Sequence, residues 1–274
     1  MKLWILGVAL FATGCSAVDL LNGLSASNAY DRVRGIDYGP AKLDVYRPKD
    51  AKGPTPLVVF FYGGFWVSGR REDYFFAAEA LASHGVTVVV PDYRVYPEVR
   101  FPTFLQDAAK AVRWAVDHEA HGQGVYLMGH SAGAHIASML TLDERYLAAE
   151  RFERTPIKGT VALAGLLDFT AAELPFPPGQ ASAMFGERWA EGQPISYVDG
   201  TEPPMLLLHG EADADVAPKN SEHLAARIRA RHGRVTLKTY AGMDHQRIVA
   251  ALARPTRWLG PVLADVLAFI RNVP

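Results

Sequence analysis

The sequence predicts an α/β fold, a mostly parallel central sheet flanked by helices on both faces, and three observations carry that reading. Short continuous apolar runs such as Leu57-Val58-Val59-Phe60-Phe61-Tyr62 and Val86-Thr87-Val88-Val89-Val90 lack the alternation of a half-solvated strand, so both faces of each should be covered. Between such runs lie segments with apolar residues three and four apart, the period of a helix with one buried face. One run, Val125-Tyr126-Leu127-Met128, leads straight into Gly129-His130-Ser131-Ala132-Gly133 and then into a helix-like segment. On the pentapeptide alone, a helix-capping serine in a glycine-rich loop is an equal alternative to a reactive one.

Taken in order, residues 33–38 and 42–47 flank Gly39-Pro40 and read as a β-hairpin at a sheet edge. The first buried strand covers 57–62, and an amphipathic segment over 73–83 connects it to a strand at 86–90, closed by Pro91. Leu105, Ala108, Ala109, Val112, Ala115 and Val116 predict a helix over 103–118 with one face on the sheet. Further strands are expected at 158–164, 205–209 and 234–240, with helices over 220–231 and 261–271; Pro261 opens the last, where its missing donor costs little. Residues 168–204 are rich in proline, glycine and aromatics and too long for a simple connection. They read as a short lid or pocket wall carrying Phe176, Met184, Phe185 and Trp189, with a plain surface loop as the alternative.

The 274 residues fit one large domain, and Lys+Arg at 28 against Asp+Glu at 29 leave no electrostatic footprint for nucleic acid. No His/Cys/Asp/Glu cluster has metal-ligand spacing. The amino terminus has Lys2 followed by an apolar run over 3–12 that is too short to span a bilayer, so residues 1–14 read as a signal peptide. Ala12-Thr13-Gly14-Cys15-Ser16 holds the only cysteine and resembles the lipobox of bacterial lipoproteins, although alanine stands where leucine is more usual. The resemblance implies lipidation of Cys15 and a membrane anchor. Ser16 in place of aspartate implies the outer membrane, facing the periplasm. Ordinary secretory cleavage within 24–28 is the alternative, and the protein is exported on either reading. Residues 15–31 are expected to be a tether and 32–274 the folded domain.

A serine hydroxyl is a weak nucleophile, so Ser131 needs a base to take its proton and an acid to orient that base. His209-Gly210-Glu211-Ala212-Asp213 and Gly242-Met243-Asp244-His245 each follow a predicted strand, so both would project from the carboxyl edge of the sheet beside Ser131. From residue 32 onward the chain resembles an α/β-hydrolase, of the esterase group related to hormone-sensitive lipase and the carboxylesterases. The resemblance rests on the glycine-flanked serine, the His-Gly-x-x-Asp segment and the terminal histidine, in the order nucleophile, acid, base. It implies Ser131 as nucleophile, Asp213 as acid and His245 as base. Asp215 does not fit the spacing, and Asp244 is awkwardly placed beside the histidine.

An oxyanion needs aimed donors. The backbone amide of Ala132 is one candidate. Tyr62-Gly63-Gly64-Phe65-Trp66 occupies the place of the family's His-Gly-Gly-Gly, so the amides of Gly64 and Phe65 are the others. Tyrosine for histidine and phenylalanine for the third glycine depart from the pattern, and the phenylalanine needs a conformation that a Cβ tolerates. Asp92-Tyr93-Arg94 also resembles a segment of these esterases, where it supports the fold. His130 and His135 flank the nucleophile without evident partners and read as packing residues. Phe65, Trp66, Phe176, Phe185 and Trp189 read equally as a pocket or as core.

These residues imply hydrolysis of small-molecule carboxylic esters of small or aromatic acyl groups through an acyl-enzyme, with no cofactor. An arylformamidase or other amidase on the same residues is the nearest alternative; a catalytically inactive binding module is the alternative from a different class. A nucleotide-binding reading lacks a phosphate-cradling loop, since Gly63-Gly64 has the wrong spacing.

Overall fold

Eight strands form one sheet in the computed structural model, which describes residues 14–151, 156–177 and 179–272. The strands are β1 (Tyr30–Asp37), β2 (Lys42–Pro48), β3 (Leu57–Phe61), β4 (Thr87–Pro91), β5 (Val125–His130), β6 (Ile157–Leu163), β7 (Met205–Gly210) and β8 (Val235–Tyr240). Their order is β1-β2-β4-β3-β5-β6-β7-β8. The β1–β2 and β2–β4 pairings are antiparallel and the other five parallel.

Nine α-helices surround the sheet among the described residues: α1 (Gly14–Ser25), α2 (Phe75–Ala82), α3 (Thr103–Glu119), α4 (Ala132–Leu142), α5 (Arg145–Ala149), α6 (Gln180–Phe185), α7 (Lys219–Ala230), α8 (His245–Ala250) and α9 (Val262–Asn272). The continuous apolar runs follow from coverage on both faces. Along β3, Leu57, Val59 and Phe61 pack with residues of α3 and α4, whereas Val58 and Phe60 pack with residues of α2 and α9. β5 divides likewise, with Val125 and Leu127 on the first side and Tyr126 and Met128 on the second. Because β5 lies in parallel register between β3 and β6, its carboxyl end opens at the edge where β3 and β7 also end.

One expectation needs correction. The segment expected to be a tether over 15–31 is helical through Ser25 and then enters β1 at Tyr30, so the ordered fold begins well before residue 32. The reason is side-chain chemistry: Asn22 donates to the Glu72 carbonyl at 3.0 Å and accepts from the Phe76 amide at 3.0 Å, an orphan donor in the first turn of α2. Ser25 is buried and Leu21 packs against the core beneath α2. The expected signal peptide lies outside the described residues except for Gly14. In the 168–204 segment, Phe169, Leu174, Met184 and Phe185 are buried in the same apolar cluster as β3 and α3, so it is a seated wall and not a solvated loop.

Removing the Asn22 side chain tests whether α1 belongs to the fold. Asn22→Ala is expected to lower stability by about 1–2 kcal/mol, read as a lower urea midpoint with unchanged slope; a free tether would leave the midpoint where it was.

Candidate active site

Ser131 sits at the turn between β5 and α4 with φ 57° and ψ −121°. Holding a residue with a side chain there costs about 1–3 kcal/mol, which the surroundings must offset. They do so by close backbone packing: a Cβ on Gly129 would lie 2.2 Å from the Gly133 carbonyl, and one on Gly133 would lie 2.1 Å from the Phe61 carbonyl oxygen. Both glycines are thus required by contact. The turn leaves the Ser131 hydroxyl buried and without a hydrogen-bond partner among the described residues.

Asp213 and His245 meet at the same edge, 2.8 Å apart between Oδ2 and Nδ1. Their loops are held together by the Ala212 amide donating to the Met243 carbonyl at 2.9 Å, and Gly210 packs so closely that a Cβ would meet that same oxygen at 2.3 Å. The other carboxylate oxygen of Asp213 accepts from the amides of Asp215 at 3.0 Å and Val216 at 2.8 Å. Burial alone would raise the Asp213 pKa, but hydrogen bonds from His209 and His245 hold it well below the usual carboxylate range. His209, whose role the spacing did not reveal, is fully buried with Nε2 at 2.9 Å from the Val216 carbonyl and 3.3 Å from Asp213. Its Nδ1 lies 2.7 Å from the Ser221 hydroxyl.

The rival carboxylates are engaged elsewhere. Asp215 is exposed and accepts from Gln246 at 2.9 Å, while Asp244 caps α8 through the Arg247 amide at 2.8 Å.

The loop after β3 lies against the nucleophile, since a Cβ on Gly63 would sit 3.1 Å from that of Ser131. Gly64, Phe65 and Trp66 have φ of 132°, 49° and 60°. Two contacts hold this conformation: the Gly64 carbonyl accepts from Val67 at 3.0 Å and Ser68 at 3.2 Å, and the Trp66 ring is fully buried among Phe104, Phe169, Phe185 and His135. Among the described residues, neither the Gly64 nor the Phe65 amide donates to another backbone group. Ala132 opens α4, where a helix has no internal acceptor for its first amides.

Tyr62, which departs from the histidine expected by resemblance, stacks on Tyr93 at 4.4 Å, and each hydroxyl bonds the other residue's backbone. Arg94 forks onto buried Asp107, and Asp92 pairs with Arg71, so this segment props the loop from below.

The aromatic residues divide between the two readings. Trp66 and Phe185 are core, with Trp189 packed against them. Phe65 lies with its ring 6.5 Å from that of His245 and meets Phe176 edge-on at 6.0 Å, so these two belong to the site.

The reading of His130 and His135 as partnerless is also corrected. His130 lies 2.9 Å from both the Tyr74 hydroxyl and the His245 carbonyl, and His135 Nε2 lies 2.9 Å from the Gly192 carbonyl. Burial pushes His130 down to about 3 and His135 to about 4. No group of three or more metal-binding side chains occurs among the described residues.

This topology defines an α/β-hydrolase, and solved structures bear out the fold. Esterase B from Lactobacillus rhamnosis superposes with a TM-score of 0.79 at 19% identity, covering 97% of this chain and 94% of that one. The hyperthermophilic esterase from Pyrobaculum calidifontis gives 0.75 at 21%, covering 94% and 92%. More specifically, the BD-FAE family model matches residues 43–228, and the chain belongs to that family.

Among curated relatives, the kynurenine formamidase of Salmo salar is 27% identical over 227 residues, 79% of this chain and 76% of the salmon protein. The probable isoprenylcysteine alpha-carbonyl methylesterase ICMEL1 of Arabidopsis thaliana is 25% identical over 88% of this chain and 57% of its own length. Esterase LipC of Mycobacterium tuberculosis is 30% identical over 73% of this chain and 56% of its own. The chain thus spans little more than half of the last two.

The two flanking histidines make stability pH-dependent with a definite sign. Both rings stay neutral in the fold far below the ordinary imidazole pKa of about 6.5, so as pH falls the unfolded chain takes up protons that the fold refuses. Stability should fall from pH 6.5 toward 4, by up to about 1.4 kcal/mol per pH unit for each ring. Urea midpoints at pH 7, 6 and 5 check this, and a midpoint constant across that range contradicts it.

Proposed function

We propose that the protein is a serine hydrolase of small-molecule carboxylic esters, with Ser131 as nucleophile, His245 as general base and Asp213 as the acid that orients it. The observation that carries this reading is the 2.8 Å Asp213–His245 bond at the sheet edge that also holds a strained, buried and unpartnered Ser131 hydroxyl. With Nδ1 of His245 held by Asp213, Nε2 is the nitrogen left to take the Ser131 proton as Oγ attacks the ester carbonyl carbon. The amides of Gly64, Phe65 and Ala132 receive the oxyanion. Collapse of the tetrahedral adduct passes the proton from His245 to the leaving alcohol and leaves an acyl-enzyme. His245 then takes a proton from water, whose oxygen attacks the acyl carbon, and returns it to Ser131 as the acid departs. The low pKa of Asp213 supports its part, since a carboxylate that stays ionised stabilises the transient imidazolium. No step requires a cofactor.

Family membership and relatives named as esterases support ester hydrolysis. Phe65 beside His245, with Phe176 edge-on against Phe65, supports small or aromatic acyl groups. A second reading, cleavage of an aryl formamide, is favoured by the formamidase relative, which matches most of both chains, and uses the same acyl transfer with an amine leaving group. Export and lipidation at Cys15 rest on the sequence of residues 1–16, with the folded domain as the cargo.

Ser131→Ala is expected to abolish hydrolysis of p-nitrophenyl acetate with the fold retained, and Asp213→Asn to lower kcat by about a thousandfold or more. Full activity in purified Ser131→Ala would sink the mechanism. Side-by-side rates on p-nitrophenyl esters of increasing chain length and on N-formylkynurenine decide between ester and formamide. Globomycin should block processing of the wild type and leave Cys15→Ala unaffected if the anchor reading is right.

A further inference from the structure

His130 stands immediately before the nucleophile, and its buried ring has partners at both nitrogens. Nε2 faces the His245 carbonyl oxygen at 2.9 Å, and a carbonyl only accepts, so Nε2 carries the hydrogen. In a neutral ring Nδ1 is then a lone pair, and the Tyr74 hydroxyl, 2.9 Å away, must donate to it. The Tyr74 oxygen also lies directly against the Gly63 backbone, at the root of the loop after β3, where the Gly63 amide lowers the otherwise burial-raised Tyr74 pKa. A Cβ on Gly63 would meet that oxygen at 2.9 Å, His130 Nδ1 at 3.0 Å and Ser131 Cβ at 3.1 Å, so the chain of bonds passes directly beside the nucleophile.

We propose that Tyr74 and His130 form a positioning strut, tying the oxyanion-loop backbone at Gly63 to the backbone carbonyl of His245 and holding donors and base at a set separation across Ser131. The proposal rests on the hydrolase reading of Ser131 and His245. Its physical basis is that the loop after β3 and the loop before α8 lie far apart in sequence, yet acyl transfer tolerates misplacement of only a fraction of an ångström between them. Hydrogen bonds supply direction where apolar packing does not.

The neutral state of the ring belongs to the device. The charged or titratable groups that face His130 are Tyr74, His245, Asp213 and His209, and the ring centroids of His130 and His245 are 4.7 Å apart. A protonated His130 would set a like charge beside the imidazolium formed on His245 and strip the Tyr74 hydroxyl hydrogen of its acceptor. Burial, the largest influence on the ring, prevents this.

Tyr74→Phe removes one oxygen and leaves a ring packed against Phe60, Tyr62 and Phe76. Its kcat on p-nitrophenyl acetate is expected to fall about tenfold with KM changed by less than about twofold. Tyr74→Phe combined with His130→Gln should be no slower than His130→Gln alone, because both break one strut. Imidazole ¹⁵N NMR of the wild type between pH 5 and 8 should show His130 neutral with its hydrogen on Nε2. A Tyr74→Phe kcat within about twofold of wild type, effects that multiply in the double variant, or a hydrogen on Nδ1 would each overturn the strut. Should His130→Gln fail to fold, Tyr74→Phe and the NMR decide between them. A wild type that hydrolyses neither an ester nor N-formylkynurenine refutes the hydrolase reading, while the NMR still reads the strut.

Discussion

The contact on which the rest of the structure depends is the approach of Gly133 to the carbonyls of Phe61 and Tyr62. It brings the first turn of α4 onto the end of β3 with no room for a side chain, which holds Ser131 at positive φ and sets the loop after β3 beside it. That loop inherits a second constraint, since Trp66 must turn its ring into the core while Gly64 and Phe65 stay at the surface of the site. Three consecutive residues with positive φ result, two of them bearing side chains. The burial of Trp66 offsets the strain that Phe65 and Trp66 carry.

Electrostatics organise the opposite side of the site. Asp213 is enclosed, and its carboxylate is satisfied by two amides and two imidazoles, so it stays ionised where burial alone would favour protonation. In the proposed mechanism the positive charge that complements it develops on His245 as that ring takes the Ser131 proton. His130, the nearest ring to His245, is kept neutral by the same burial. One edge of the sheet thus holds a carboxylate that resists protonation and a histidine that resists charging, with the proposed base between them.

The insertion over 168–204 joins packing to the site. Its buried residues extend the cluster that seats Trp66, and its Phe176 reaches Phe65 at the mouth. The wall and the loop after β3 are therefore coupled through Phe169, stacked on the Trp66 ring, and Phe185, which meets it edge-on.

Much of this was legible in the chain. The β-branched and aromatic runs determined the strands, because residues buried on both faces leave no other pattern. The glycine-flanked serine, the His-Gly-x-x-Asp segment and the terminal histidine pointed to the proposed site residues, because reactive turns and strand ends need particular residue types at fixed spacing. Asp92-Tyr93-Arg94 was likewise readable as support for the loop. What only the tertiary structure decided were relations between residues far apart in sequence. Asn22 draws a segment of tether-like composition into a helix by capping α2. Tyr74 finds its partner His130 across the sheet edge, and the aromatics sort between core and site. No local pattern encodes these outcomes, since a histidine or tyrosine has the same propensity whether it meets solvent or a buried carbonyl. The difference arises when β5 closes between β3 and β6 and brings those groups within 3 Å.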